Sequence, residues 1–126
     1  MANVVIVDDS EYMINALSRF VQSNGHHVIA TGNDGNEGFN LYRQYKPDLM
    51  ILDLTMPNRH GRECLFDVLD CDPKARILIV SAVKNELTIL ECLDRGAKGF
   101  VEKPLKFADP VFCEDFLNTL NKAIAG

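Results

Sequence analysis

No stretch of this 126-residue chain approaches the ~20 consecutive apolar residues that a helix needs to cross a bilayer, so no membrane span is expected. The N-terminus also lacks the basic start and apolar stretch of a secretory signal; it runs straight into a strand-like segment, and a cytoplasmic location is expected. Basic clusters are missing too. With 13 Lys and Arg against 18 Asp and Glu, the net charge of −5 disfavours non-specific nucleic-acid binding, which needs a basic face. Cys64, Cys71, Cys92 and Cys113 are far apart and show no metal-ligand spacing, so in a reducing compartment they read as small, mostly packed thiols. There is no linker, repeat or low-complexity segment. An apolar fraction of 47% with mixed charge fits one globular domain over residues 1–126, with no output domain expected after Gly126.

What the chain does have is a set of four apolar runs, each ending in a residue that can do chemistry. They are Val4-Val5-Ile6-Val7 before Asp8-Asp9, Met50-Ile51-Leu52 before Asp53, Ile77-Leu78-Ile79-Val80 before Ser81, and Phe100-Val101-Glu102 before Lys103-Pro104. Short runs rich in Val and Ile, without alternation, read as strands buried on both faces. Between them lie helical patterns. Ser10 is placed to cap a helix carrying Met13, Leu17, Phe20 and Val21, which Asn24-Gly25 ends. A shorter strand over His27–Thr31 precedes Asp34-Gly35 and a helix with Phe39, Leu41, Tyr42 and Tyr45, stopped by Lys46-Pro47. The third helix has Cys64, Leu65, Val68 and Leu69 as its apolar side, and the fourth is predicted from about Lys84 to Arg95, closed by Gly96. Asp109 before Pro110 starts the last, which Phe112, Phe116, Leu120 and Ile124 line. Five βα units in strict alternation imply an α/β fold with a parallel sheet and helices on both faces.

In such a sheet the site forms where the carboxyl ends of the strands meet. Asp8, Asp9 and Asp53 converging there would repel one another and raise one another's pKa values unless a cation joined them. Oxygen ligands of this kind suit Mg²⁺ (or Mn²⁺), which leaves room for a phosphate oxygen. Asp53 is then a credible nucleophile toward a phosphoryl group, Lys103 a mobile positive charge suited to pair with it, and Ser81 a hydroxyl donor to the same group. Ala82 beside Ser81 is small and keeps the approach open. A flavin-binding module of the same fold would need a phosphate-cradling loop where Asp8-Asp9-Ser10 stands. An aspartyl phosphatase would need a second aspartate where Thr55 stands.

The order and spacing of Asp8-Asp9, Asp53, Met56-Pro57, Gly61, Ser81-Ala82, Gly96-Ala97 and Lys103-Pro104 resemble the receiver domains of two-component response regulators. The likeness is greatest to the stand-alone kind typified by the chemotaxis regulator. It implies a flavodoxin-like doubly wound (βα)5 fold with strand order 2-1-3-4-5. It further implies that Asp53 accepts a phosphoryl group from a sensor histidine kinase or a phosphotransfer protein. Asp9, Asp53 and the carbonyl of Thr55 would bind Mg²⁺ directly and Asp8 through water, while Ser81 and Lys103 would hold the phosphoryl oxygens. Phe100 matches the aromatic switch that turns inward as Ser81 moves, and the Lys103-Pro104 bond would be cis. Output would be binding of a downstream protein target; the same residues would also serve a phosphorelay intermediate. Beyond its own phosphoryl transfer and autodephosphorylation, no enzyme activity is expected.

Three departures from the commonest pattern stand out: Ser81 for threonine, a delay of the last helix by Leu105–Asp109, and Gly38 where alanine is usual. On the fourth helix Val83, Leu87, Leu90 and Ala97 are expected to form the buried stripe. Ile89 and Leu93 would stay partly exposed and, with Phe100 and Lys106, make the partner face. His26 and His27 point to opposite faces if both are in a strand, and read as ordinary surface and edge residues. Arg59 and His60 read as a solvated loop.

Overall fold

The computed structural model describes residues 1–56 and 61–126; Pro57, Arg59 and His60 lie outside them. Within the described residues, strands and helices alternate as β1 (Asn3–Val7), α1 (Glu11–Ser23), β2 (His27–Gly32), α2 (Gly35–Tyr45), β3 (Leu49–Leu52), α3 (Gly61–Cys71), β4 (Ile77–Ser81), α4 (Glu86–Arg95), β5 (Gly99–Glu102) and α5 (Pro110–Ala125). The strands are all parallel and lie in the order β2-β1-β3-β4-β5, as expected.

Three of the four apolar runs, those of β1, β3 and β4, are the middle of the sheet; the fourth, in β5, is an edge and is not buried on both faces. Apart from Asn3, every residue of β1, β3 and β4 is buried, because helices cover both faces; β2 and β5 are edges and only half-buried. Alternation along the strands sorts the core into two layers. Val5, Val7, Met50, Leu52, Ile77 and Ile79 face α2, α3 and α4, whereas Val4, Ile6, Leu49, Ile51, Leu78 and Val80 face α1 and α5. Each fully buried Val, Leu or Ile contributes ~1.5–3 kcal/mol, so this double-sided packing fixes the strand ends on which the site depends.

The caps follow the sequence closely. Ser10 accepts from the Met13 N–H at the start of α1, Asp34 from Glu37 at α2, and Asp109 from Val111 at α5, with Pro110 as the first helical residue. In α1 the core-facing residue of the first turn is Ile14 rather than Met13, and Phe20 is half-buried. Of the cysteines only Cys64 and Cys92 are packed inside; Cys71, last in α3 and past its buried stripe, is exposed, and Cys113 is half-buried. His26 is no idle surface residue: its Nδ1 accepts from the Ala2 N–H at 3.0 Å, while the next residue's N–H bonds the Ala2 carbonyl.

α4 departs most from expectation. It starts at Glu86, not Lys84, because the Asn85 side chain caps the N–H groups of Leu87 and Thr88. Its one fully buried residue is Cys92, with Thr88 and Ile89 half-buried on the same side. Leu87 and Leu90, expected in the buried stripe, instead point outward at 79% and 54% exposure, and Leu93 is at 37%. Val83 and Ala97 do pack against the core. The reason is register: a helix face built around Cys92 turns Leu90 to the opposite side.

Candidate functional site

Strand register brings the acidic residues together before any side chain is considered. Val7 pairs with Leu52, so Asp8 and Asp53 follow on neighbouring strand ends. The ladder runs one rung further, with the Asp53 N–H donating to the Val7 carbonyl at 2.9 Å and the Asp8 N–H to Gly32 at 3.1 Å. On the other side Ser81 pairs with Glu102, and the Lys103 N–H donates to the Ser81 carbonyl at 2.9 Å. The Lys103-Pro104 bond is cis.

Asp8, Asp9 and Asp53 each offer a carboxylate oxygen within 4.8 Å of the others. Asp8 and Asp53 are buried, while Asp9 is exposed at the mouth. Lys103 donates to Asp8 Oδ2 at 2.7 Å and lies farther from Asp53 Oδ2, at 3.6 Å, so its first partner is Asp8 rather than Asp53. The second oxygen of Asp8 accepts from the Ser10 N–H at 2.9 Å. Asp53 accepts from the Thr55 N–H at 3.3 Å, and the Ser81 hydroxyl lies near enough to favour its ionised form. Ser81, itself fully buried, accepts from the Val83 N–H at 3.4 Å, which ties the first residues after β4 to the site.

The electrostatics of Asp53 follow from this crowding. Burial pushes its carboxyl above the ordinary value; Lys103 opposes the shift, the charge of Asp8 adds to it, and the donors Ser81 and Thr55 pull it back. Removing an unpaired carboxylate from water costs several kcal/mol, and one ammonium shared between two carboxylates leaves Asp53 short of positive charge. A divalent cation would supply it. The donor set, carboxylate oxygens converging on a polar opening, fits Mg²⁺ or Mn²⁺ chemistry.

Gly61 belongs to the site for a reason its place in the motif does not reveal. A Cβ there would overlap the Asp53 carbonyl oxygen and lie 2.7 Å from the Leu54 Cα, so α3 begins against the backbone of the acidic residue itself. Phe100 is half-buried against the same core layer as Val83, and Lys106 is exposed.

Residues 4–111 match the response regulator receiver domain family. The chain belongs to that family. It is 33% identical to the chemotaxis protein CheY of Listeria monocytogenes, over 98% of this chain and 98% of that protein, and 31% identical to CheY of Thermotoga maritima, over 94% and 97%. Among solved structures it superposes on the CheX–CheY–BeF3–Mg²⁺ complex of Borrelia burgdorferi with a TM-score of 0.86 and 34% identity, covering 94% of this chain and 85% of that one. Receiver domains are signalling proteins that bind Mg²⁺ in an acidic pocket, and this chain carries an acidic cluster, Asp8, Asp9 and Asp53, at the ends of its strands. Among the described residues no helix is long and apolar enough to cross a membrane.

Proposed function

We propose that this receiver takes a phosphoryl group onto Asp53 from a histidine kinase or a phosphotransfer protein and signals by binding another protein while phosphorylated. The observation that carries the reading is the surrounding of a buried, charge-starved Asp53 by Asp8, Asp9, Ser81 and Lys103. In this mechanism an oxygen of Asp53 attacks the phosphorus of a phosphohistidine; the new O–P bond forms as the P–N bond breaks and the imidazole leaves. Mg²⁺ or Mn²⁺, when bound, neutralises charge on the transferring oxygens. Asp9, Asp53 and the Thr55 carbonyl would hold it, and Asp8 would act through water. Both Asp8 oxygens already have donors, which supports that division. Lys103 needs only a short swing from Asp8 to reach a phosphoryl oxygen on Asp53.

Ser81 supplies the signal. Its hydroxyl gains a phosphoryl acceptor only in the modified state, the differential interaction that a population shift requires. Through the Val83 N–H the segment leading into α4 follows, and Phe100, packed against the same core layer as Val83, moves inward. The readout surface is α4, β5 and α5, with Leu93, Lys106 and half-buried Ile89 joined by Leu87 and Leu90. In this reading the receiver works in the cytoplasm, and its chemistry is its own phosphorylation and dephosphorylation.

The direct test is intact-mass measurement after incubation with acetyl phosphate. One phosphoryl adduct is expected with Mg²⁺ and none with a chelator; a metal-independent adduct, or none at all, refutes the reading. Metal titration separates the aspartates: Asp9→Ala should weaken Mg²⁺ binding by about 100-fold or more through loss of a direct ligand, and Asp8→Ala by about tenfold. Equal losses would show the roles to be wrongly divided. For the output surface, Leu90→Glu should cost under ~0.5 kcal/mol of stability, as exposed substitutions do, and leave phosphorylation intact. A protein retained by the phosphorylated wild type should not be retained by this variant; unchanged retention would move the surface elsewhere.

A further inference from the structure

We propose that Phe107 is a positioning residue for Lys103, holding its ammonium in the site by anchoring the segment between β5 and α5. The geometry stands by itself; its consequence for phosphoryl transfer rests on the function proposed above. Lys103 is long and flexible, with many rotamers to lose when its ammonium is fixed. It nevertheless sits 2.7 Å from Asp8 with 16% of its side chain exposed, so the backbone beneath it must be held. Upstream the hold is the bond from the Lys103 N–H to Ser81. Downstream lie exposed Pro104 and four residues leading to the cap of α5 at Asp109.

Those four alternate. Leu105 and Phe107 turn in against the layer covered by α1 and α5, whereas Lys106 and Ala108 are exposed. The Phe107 ring stacks on Phe20 of α1 with centroids 5.0 Å apart and planes at 20°, and meets Phe112 and Phe116 of α5, each at 5.8 Å. Its carbonyl accepts from the Cys113 thiol at 3.2 Å. Ring and backbone of the same residue are therefore both pinned, four positions beyond the lysine. The other half of the ion pair is tied to the same cluster: α1, which carries Phe20, is capped by Ser10, and the Ser10 N–H bonds Asp8. Phe107 thus fixes the distance between the two partners of the Lys103–Asp8 pair. The segment Leu105–Asp109, which delays the last helix, is what supplies this anchor.

A ring that merely filled space would leave Lys103 where it is when removed. The two roles are separated by acetylating the folded protein with acetic anhydride and reading each lysine by mass spectrometry, with exposed Lys84 and Lys98 as internal references. Phe107→Ala should raise Lys103 reactivity severalfold relative to those references, and Cys113→Ala, which loses only the thiol donor, should raise it less. Phe107→Tyr should restore wild-type protection, since the surface groove lined by Tyr12, Arg19, Phe20 and Phe107 accommodates a hydroxyl. In parallel, phosphoryl uptake from acetyl phosphate at saturating Mg²⁺ should fall on the order of tenfold in Phe107→Ala, with the Mg²⁺ midpoint unchanged. Unchanged Lys103 reactivity in Phe107→Ala, or in Cys113→Ala should the first variant not fold, overturns the proposal. A wild type that accepts no phosphoryl group refutes the proposed function alone, because the labelling still decides where Phe107 holds the lysine.

Discussion

Asp53→Asn is expected to take up no phosphoryl group at any Mg²⁺ concentration and, without divalent metal at neutral pH, to melt at a higher temperature than the wild type. The first half follows from loss of the attacking oxygen. The second follows from the cost of keeping that oxygen ionised. Burial is the largest cause of the upward shift at Asp53, with Asp8 adding to it. A carboxyl whose folded pKa lies above its unfolded one makes folding take up a proton between the two values. Stability therefore falls as pH rises through that window, and the full deficit persists above the folded pKa. The amide carries no such charge. A gain of ~1 kcal/mol corresponds to roughly 3–5 °C for a domain of this length. Acidification through the window should close the gap between the two proteins, and so should saturating Mg²⁺, which stabilises the wild type by binding its native state. Thermal melts across pH, with and without metal, read both trends. A variant that melts below the wild type at neutral pH, or that still carries a phosphoryl adduct, contradicts the assignment.

Gly61→Ala should be nearly as damaging to activity without removing any reacting group. All three atoms that its Cβ would strike belong to the backbone of Asp53 and Leu54, so no side-chain rotation can relieve the contact. Gly61 is also tied there by its N–H, which donates to the Leu54 carbonyl at 3.0 Å. Either α3 or the end of β3 must shift. Overpacking of this kind costs about 1–3 kcal/mol, and displacing the acceptor by ~1 Å can cost on the order of 100-fold in rate. Gly38→Ala is the control. Its Cβ would meet the side chains of Cys64 and Val7 at 3.1–3.3 Å, atoms that can yield, and the ~1 kcal/mol gain in helix propensity offsets the crowding. Urea denaturation and phosphorylation rates of both variants decide the matter; equal behaviour of the two would show that the backbone at Gly61 has slack.

The sheet was legible because its central strands are apolar without interruption, and the site because each of those strands stops at a polar residue. Ser10, Asn24-Gly25 and Asp109-Pro110 marked helix ends by local chemistry that packing had no reason to override. The fourth helix was not legible in the same way. Leu87, Ile89, Leu90 and Leu93 spread over roughly 160° of it, so periodicity alone allows several stripes, and the choice fell to Cys92, a small residue that fits close to the sheet. The Asn85 cap was there to be read, an asparagine directly before an acidic first turn. The pairing of Lys103 with Asp8 was undecidable from sequence, since Asp8 and Asp53 end neighbouring strands at the same level. The packing of Gly61 on Asp53 depends on where α3 returns to the sheet, which no local pattern encodes.

With one fully buried residue, α4 is attached to its neighbours chiefly by groups that water can reach. Arg62 of α3 meets Glu91 at 3.4 Å with both side chains about half exposed, and Arg95 lies over the Phe66 ring at 4.0 Å. Contacts of that sort contribute little individually and weaken as salt rises. The helix should therefore melt as a separate unit: its amide protons are expected to exchange with solvent through a local opening that leaves the strands intact, and added salt to speed that opening more than it does any part of the sheet.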